Sequence, residues 1–473
     1  MITNDTICAI STAPGSAAIA LIRITGSKAY DICNNIFLPA NKKKELQKEP
    51  ANSLIFGTIK DKESKRDIDE VILSLFRAPH SFTGEDIIEI ACHGAPFIQN
   101  EIVNLLIKNG ARLAQPGEFT QRAFINGKMD LSQAEAVADL IASQSESSRK
   151  VAFQQMKGGI SSELLTLREK LLWFISMVEL ELDFSEEDVE FADRNELQNL
   201  VAEIKEHLDR LVNSFTLGNA IKHGIPVAIV GHTNAGKSTL LNTLLNEEKA
   251  IVSEIHGTTR DAIEDVINIE GVTFRFIDTA GIRETTDKIE NLGIKLTYDK
   301  IKKAQIVLLL ADVNDPDNKI QEAISQVSEK IDFKNQQLIV VINKSDLLTK
   351  EKIEKRFSTP AYKELKEKVS AIITVSAKYH NNINLLIEEL LKTVNLNAIN
   401  QNEVIVTNAR HYEALSNALE SIIRVEEGLE NEISGDFLAQ DIREVLHYLG
   451  SITGQISTDE ILGNIFKNFC IGK

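Results

Sequence analysis

Cysteine is scarce. The four residues, at 8, 33, 92 and 470, stand far apart and form no C-x-x-C pair, which argues against a zinc knuckle or a disulfide framework. They are expected to be reduced, three of them as small buried hydrophobes, whereas Cys470 lies so near the end of the sequence that a core role is less expected. Also lacking in MITNDTICAISTAPG is a basic segment followed by an apolar run. Elsewhere no apolar run approaches the roughly 18 residues of a spanning helix, so a cytoplasmic protein without membrane attachment is expected. Positive charge is in deficit, with 52 Lys and Arg against 69 Asp and Glu and a formal charge of −17. This argues against broad electrostatic attraction to nucleic acid, so any RNA is expected to be held locally or through a partner. What is present, 43% hydrophobic residues over 473 positions, is ordinary for a folded chain and suggests about three domains.

Periodicity divides the chain. Residues 1 to about 120 mix apolar strand segments (IALIRI, SLIFGTI, EVILSLF) with turn signals, which predicts an α+β module. Positions 121–217 turn helical, with apolar residues three and four apart from about Asp130, and predict the first part of a helical bundle. Over 218–396 the runs PVAIVG, TFRFID, QIVLLLAD, QLIVVINKSD and AIITVSAK alternate with helical stretches, the pattern of an α/β domain on a mainly parallel sheet. Residues 397–473 are helical again. The simplest reading is a sheet domain inserted into a helical one, with Asn213 to His223 and Asn395 to Asn408 as exposed connections.

The inserted domain carries chemistry. G231-HTNA-G236-K237-S238 follows an apolar strand and precedes helical TLLNTLL, the setting in which backbone amides and a helix N-terminus face phosphate while Lys237 neutralises the β and γ oxygens. Magnesium needs hard oxygen ligands, which Ser238 supplies and Thr259 of IHGTTRD could add. Asp278 opens D278-TAG and would hold the metal through water, leaving Gly281 to meet the γ-phosphate. The N343-K344-S345-D346 segment decides the base. The Asp346 carboxylate can accept from both the ring N–H and the exocyclic amine of guanine, a donor pair that adenine lacks. Ser376-Ala377-Lys378 would offer backbone N–H to guanine O6. Position 282, after DTAG, is Ile and not a water-orienting Gln, and no arginine finger is evident.

Taken together, DTICAISTAPG, SFTGEDIIEIACHG, PGEFTQRAFINGKMDLSQAEA, NAGKSTLLN, GTTRD, DTAGIRET, NKSD and terminal FCIGK resemble the MnmE (TrmE) family of bacterial tRNA-modification GTPases over essentially the whole chain. The resemblance implies a multidomain fold: an α+β folate-binding and dimerisation domain, a helical bundle, and an inserted Ras-like P-loop GTPase. It implies a homodimer that works with MnmG, an FAD enzyme, in a hetero-oligomer on tRNA. The reaction implied installs an aminomethyl or carboxymethylaminomethyl group at C5 of the wobble uridine, with the one-carbon unit from a 5-formyl or 5,10-methylene tetrahydrofolate derivative. It implies nucleotide contacts along Asn234, Ala235, Gly236, Lys237, Ser238 and Thr239, along Ser253, Glu254, Ile255, His256, Gly257, Thr258 and Thr259, and at Asp278, Thr279, Ala280 and Gly281. The remaining contacts implied are Asn343, Lys344, Ser345, Asp346, Ser376, Ala377 and Lys378.

Potassium is implied at Asn234, Ser253, Ile255 and Thr258, where a cation would stabilise charge developing between β- and γ-phosphates. Glu290 is implied to position water, with Lys237 the other catalytic group; by pattern alone Glu290 reads as a solvated helix residue. Folate contacts are implied at Arg23, Glu89, Lys128 and Lys473, with Cys470 a proposed modification site. A carboxylate suits the donor edge of a pterin and cations suit the glutamate tail. By pattern alone Arg23 and Glu89 read as strand-edge surface charges. Two function classes therefore stand: an enzyme coupling GTP hydrolysis to tRNA modification, and a GTPase binding switch, for example in ribosome assembly. A one-carbon site favours the first, since a simple switch has no need of it. Whether glycine or ammonium supplies the nitrogen, which tRNAs are modified, and how hydrolysis reaches the folate site are not legible.

Overall fold

The computed structural model describes residues 5–183, 194–245, 250–252, 265–277, 301–333, 336–359, 362, 369–393, 403–431, 433–456, 459–467, 469 and 472. The chain forms two compact units, one of Met1–Ile141, Gln155–Ala202 and Glu420–Lys473, the other of Ala142–Gln154 and Glu203–Leu419.

Among the described residues, the first unit is built on a seven-stranded sheet of β1 (Ile7–Ile10), β2 (Ile19–Thr25), β3 (Phe37–Pro39), β4 (Ser53–Asp61), β5 (Arg66–Phe76), β6 (Ile87–His93) and β7 (Arg112–Leu113), in the order β3-β4-β5-β6-β2-β1-β7. Its pairs are antiparallel except β1 with β7. Alternation decides the faces. Ile22, Ile24, Val71, Leu73, Ile88 and Ile90 turn inward onto helices Ala29–Ile36 and Pro96–Lys108, forming one core. Cys8, Cys33 and Cys92 are buried free thiols there, and desolvation raises all three, Cys8 and Cys92 to about 11. Arg23 and Glu89 lie on the other face. Since β2 and β6 are interior strands, these charges are not at a strand edge. Helices Gly159–Asp183 and Gly435–Thr453 pack on each other, and the Arg168 guanidinium donates to the Leu446 carbonyl at 3.0 Å. Helix Asp459–Phe466 sets Leu462 and Phe466 against Leu131 and Ala134.

The second unit's sheet runs β14-β13-β12-β8-β11-β10-β9 among the described residues. Its strands are β8 (Ile225–Gly231), β9 (Ala250–Val252), β10 (Asp265–Ile269), β11 (Val272–Phe276), β12 (Ile306–Asp312), β13 (Gln337–Asn343) and β14 (Ala371–Thr374). From β14 to β11 the pairs are parallel, while β10 and β9 turn antiparallel. Both faces are covered, which is why the parallel strands read as continuous apolar runs. Leu308, Leu310, Ile339 and Val341 enter one core, Val307, Leu309, Val340 and Ile342 the other.

One expectation is corrected. Positions 213–223 are not an exposed connection but the last turns of helix Arg194–His223, where Ala220 and Ile221 are buried and Leu217 packs on Ile405 and Val151. Ile405 and Val406 of the second expected connection are buried as well. Apolar residues spaced three and four apart continue the helix past the polar Asn213.

Candidate functional site

Strand order reverses at β8, and the loops beyond the carboxyl ends of β8, β12, β13 and β14 meet there, as expected of an open α/β sheet. Out of β8 comes the phosphate loop, and helix Lys237–Leu245 follows it. Gly236 has φ +97°, and a Cβ on it would lie 2.3 Å from the Asn343 Nδ2. Only glycine fits that approach. Asn343 ends β13 and is buried at 2% exposure. Its Nδ2 donates to the Ala235 carbonyl at 2.9 Å, and its Oδ1 accepts from the Ala377 N–H at 3.0 Å. One amide therefore joins the phosphate loop to the loop after β14, and the Thr243 hydroxyl donates to the Ala377 carbonyl at 2.8 Å from the helix side.

Around the expected base pocket, the Ser376 hydroxyl donates to Asp346 Oδ1 at 2.5 Å, which orients the carboxylate. Lys344 adopts φ +62°, and its ammonium reaches Asp312 Oδ2 at 2.7 Å. Partial burial works against ionisation of Asp312, but the Asn314 N–H and the Lys344 ammonium outweigh it and hold the carboxyl below its usual range. Asp315 is held low in the same way, burial being outweighed by Lys319, His232 and the Asp312 N–H. Lys237 folds over its own loop, donating to the Gly231 and His232 carbonyls at 2.8 and 2.9 Å. Asn234 sits at φ +67°, while Ser238 and Thr239 open the helix beside Lys237. Ser345 follows Lys344 in a short 3₁₀ turn and Lys378 is exposed.

Ser253, Glu254, Ile255, His256, Gly257, Thr258, Thr259, Asp278, Thr279, Ala280, Gly281, Ile282 and Glu290 lie outside the described residues, as do Cys470 and Lys473. Of the two expected magnesium ligands, Ser238 lies in the first turn of helix Lys237–Leu245, and Thr259 falls in that group.

A second constellation occupies the first unit. Arg23 donates to Glu89 Oε1 from Nε at 3.0 Å and from Nη2 at 2.6 Å, the two residues facing each other in the β2–β6 register. The guanidinium also donates to the Gly472 carbonyl at 3.3 Å and lies near the rings of Phe82 and Phe119, 5.5 and 5.7 Å from their centroids. Ser11 donates to the same carbonyl at 3.1 Å. Gly472 has φ +92°, and a Cβ there would lie 2.6 Å from the Ile10 carbonyl oxygen. Lys128 donates to the Pro79 carbonyl at 2.9 Å, on the loop that carries Phe82, and its contacts do not include Arg23 or Glu89. That loop is clamped from below. Arg122, at 2% exposure, bonds Glu85, Glu118 and Asp5 at 3.2, 3.0 and 2.8 Å, while Thr25 donates to Glu85 at 3.0 Å.

Sequence reasoning missed Asp312, Asp315, His232, Phe82, Phe119 and Arg122. For Asp312 a signal existed, since it ends the apolar run LLLAD in the strand beside β8. The others depend on partners distant in sequence.

With base and phosphate loops locked together through Asn343 at the strand-order reversal, the second unit contains a P-loop GTPase domain. Two family models and full-length relatives agree. A family model described as the GTP-binding protein TrmE N-terminus matches residues 6–128, and one described as the MnmE helical domain matches residues 131–470. The chain is 56% identical to the tRNA modification GTPase MnmE of Bacteroides thetaiotaomicron over 472 residues, 99% of this chain and 100% of that one. To the tRNA modification GTPase MnmE of Christiangramia forsetii it is 52% identical over 480 residues, 99% of each. Among solved structures it is similar to Era of Aquifex aeolicus bound to GDP and AlF4−, at 28% identity over 42% of this chain and 66% of that one, with a TM-score of 0.28. The chain belongs to the MnmE (TrmE) family, and is a GTP-hydrolysing enzyme of tRNA modification. Among the described residues no helix is long and apolar enough to cross a membrane.

Proposed function

We propose that this chain is a potassium-dependent GTPase that, together with MnmG, installs an aminomethyl or carboxymethylaminomethyl group at C5 of the tRNA wobble uridine, using a tetrahydrofolate one-carbon unit in the cytoplasm. The observation that carries the folate half of this reading is the meeting of Arg23, Glu89 and the Gly472 carbonyl beside Phe82 and Phe119. A cation, a carboxylate and the half-buried Phe82 ring match a pterin and its glutamate tail, with the buried Phe119 backing the guanidinium, and a binding switch alone has no use for them. Lys128, Lys473 and Cys470 complete that site in this reading.

For the GTPase half, the domain spans 218–396, with Asn234 through Thr239, Asn343 through Asp346, and Ser376 through Lys378 around the nucleotide. Magnesium is held by Ser238 and Thr259, and Glu290 positions the attacking water. Potassium at Asn234, Ser253, Ile255 and Thr258 supplies positive charge between the β- and γ-phosphates.

Homodimerisation through residues 1–120 is supported by the outward face of the first sheet. Leu38, Leu54, Phe56 and Ile72 stand there 52, 65, 53 and 43% exposed. A contiguous apolar face of this kind marks an interaction surface. Titration of the full chain with 5-formyltetrahydrofolate, followed by calorimetry, tests the folate reading. Saturable binding that weakens at least about tenfold in Arg23→Ala is expected, since a charge-assisted contact is lost; equal binding by parent and variant contradicts it.

A further inference from the structure

The turn that follows β12 reaches both halves of the nucleotide site. Asp312 holds the Lys344 ammonium at 2.7 Å. Asp315 accepts from His232 Nε2 in the phosphate loop, from the Asp312 backbone N–H at 3.0 Å and from Lys319 at 2.8 Å. His232 Nδ1 also lies 2.8 Å from the Thr233 carbonyl oxygen. Arg356, on helix Lys350–Phe357, donates to the carbonyls of Val313 and Asp315 and, at 2.7 Å, to the Asp317 carboxylate. The turn is thus cross-linked on the helix side and bonded to two nucleotide loops on the other.

We propose that His232 is a positioning residue for GTP turnover, which through Asp315 sets the phosphate loop against the same turn that sets Lys344 beside the guanine pocket. His232 lies between Gly231 and Asn234, whose φ angles are +146° and +67°. Such a backbone is held by its surroundings more than by its own preference. The amides of this stretch and of the helix start face the phosphates, and a displacement of about 1 Å in groups aimed at developing charge can lower turnover about 100-fold. Asp312 and Asp315 share a backbone-to-carboxylate bond, so loosening one end of the turn changes the other. Residues joined in one such network are expected to be coupled and not additive.

The proposal rests on Asn234 to Ser238 being the phosphate loop of the GTPase, and its test separates the two. In the full chain, kcat and KM for GTP, the Kd of a fluorescent GDP derivative and the thermal midpoint are measured for His232→Ala, His232→Gln, Asp312→Asn and the His232→Ala/Asp312→Asn pair, with Lys237→Ala as control. His232→Ala is expected to lower kcat/KM about tenfold, mostly in kcat, with an unchanged midpoint. His232→Gln, whose amide can still donate to Asp315, recovers at least half of that loss. The paired variant loses at least about threefold less than the product of the two single losses. Parent-like kcat and KM in His232→Ala, strictly multiplicative losses, or a lowered midpoint without recovery by Gln would each overturn the proposal. Undiminished GTP binding by Lys237→Ala would instead remove the phosphate-loop assignment, and the proposal with it.

Discussion

In the proposed guanine pocket, Asn343 and Asp346 have different tasks. The Asn343 amide is spent on protein contacts, to Ala235 on one side and Ala377 on the other, so its part is to hold two loops in register. Asp346 accepts from Ser376 on one oxygen. Its carboxylate is what a guanine, with two donors on one edge, can satisfy and an adenine cannot. Asp346→Asn should weaken GTP binding roughly 100-fold and narrow the preference for GTP over ATP, because an amide cannot accept from both donors as a carboxylate does. Competition between GTP and ATP for the purified variant checks this, and unchanged discrimination would sink the assignment. Residues that announce themselves in short motifs were legible in the sequence. His232 and Asp315 were not, because 83 positions separate them and only the adjacency of β8 and β12 brings them together.

At the scale of elements, the acidic turn after β12 and the chain's end carry the consequences. Asp312 and Asp315 are both held below the usual carboxylate range in the folded protein. A depressed folded value stabilises above the unfolded pKa of about 4 and is lost as pH falls through the folded value. Thermal midpoints taken between pH 6 and 3 should therefore fall less steeply for Asp312→Asn than for the parent; parallel curves would deny the turn that role. At the tail, Gly472→Ala forces a Cβ to 2.6 Å from the Ile10 oxygen at a φ of +92°. The variant should lose wobble-uridine modification while keeping GTP hydrolysis, and joint loss of both would point to general misfolding instead. Strands β2, β4 and β5 of the first sheet and β8, β11, β12, β13 and β14 of the second were legible, the former from alternating faces and the latter from continuous apolar runs, whereas short strands such as β3, β7 and β9 were not. Helix Arg194–His223 was cut short in the sequence reading because Asn213, Ser214 and Asn219 look like a linker. Burial of Ala220 and Ile221 shows that packing overrode that local preference.

For the whole molecule, the chain combines a GTPase domain with an N-terminal module in which Arg23, Glu89 and the tail carbonyl converge. The fold class was legible from periodicity and motif order; that Arg23 and Glu89 belong together was implied only by family resemblance, since strand positions alone do not announce such a pairing. The central claim is that both parts serve one reaction on tRNA. Mass analysis of wobble nucleosides in tRNA from cells lacking the endogenous enzyme, complemented with the parent chain, Arg23→Ala or Lys237→Ala, tests it most directly. The account predicts full modification with the parent and loss with either variant, although Arg23→Ala still hydrolyses GTP. Normal wobble nucleosides with Arg23→Ala, or with no chain supplied at all, would contradict it.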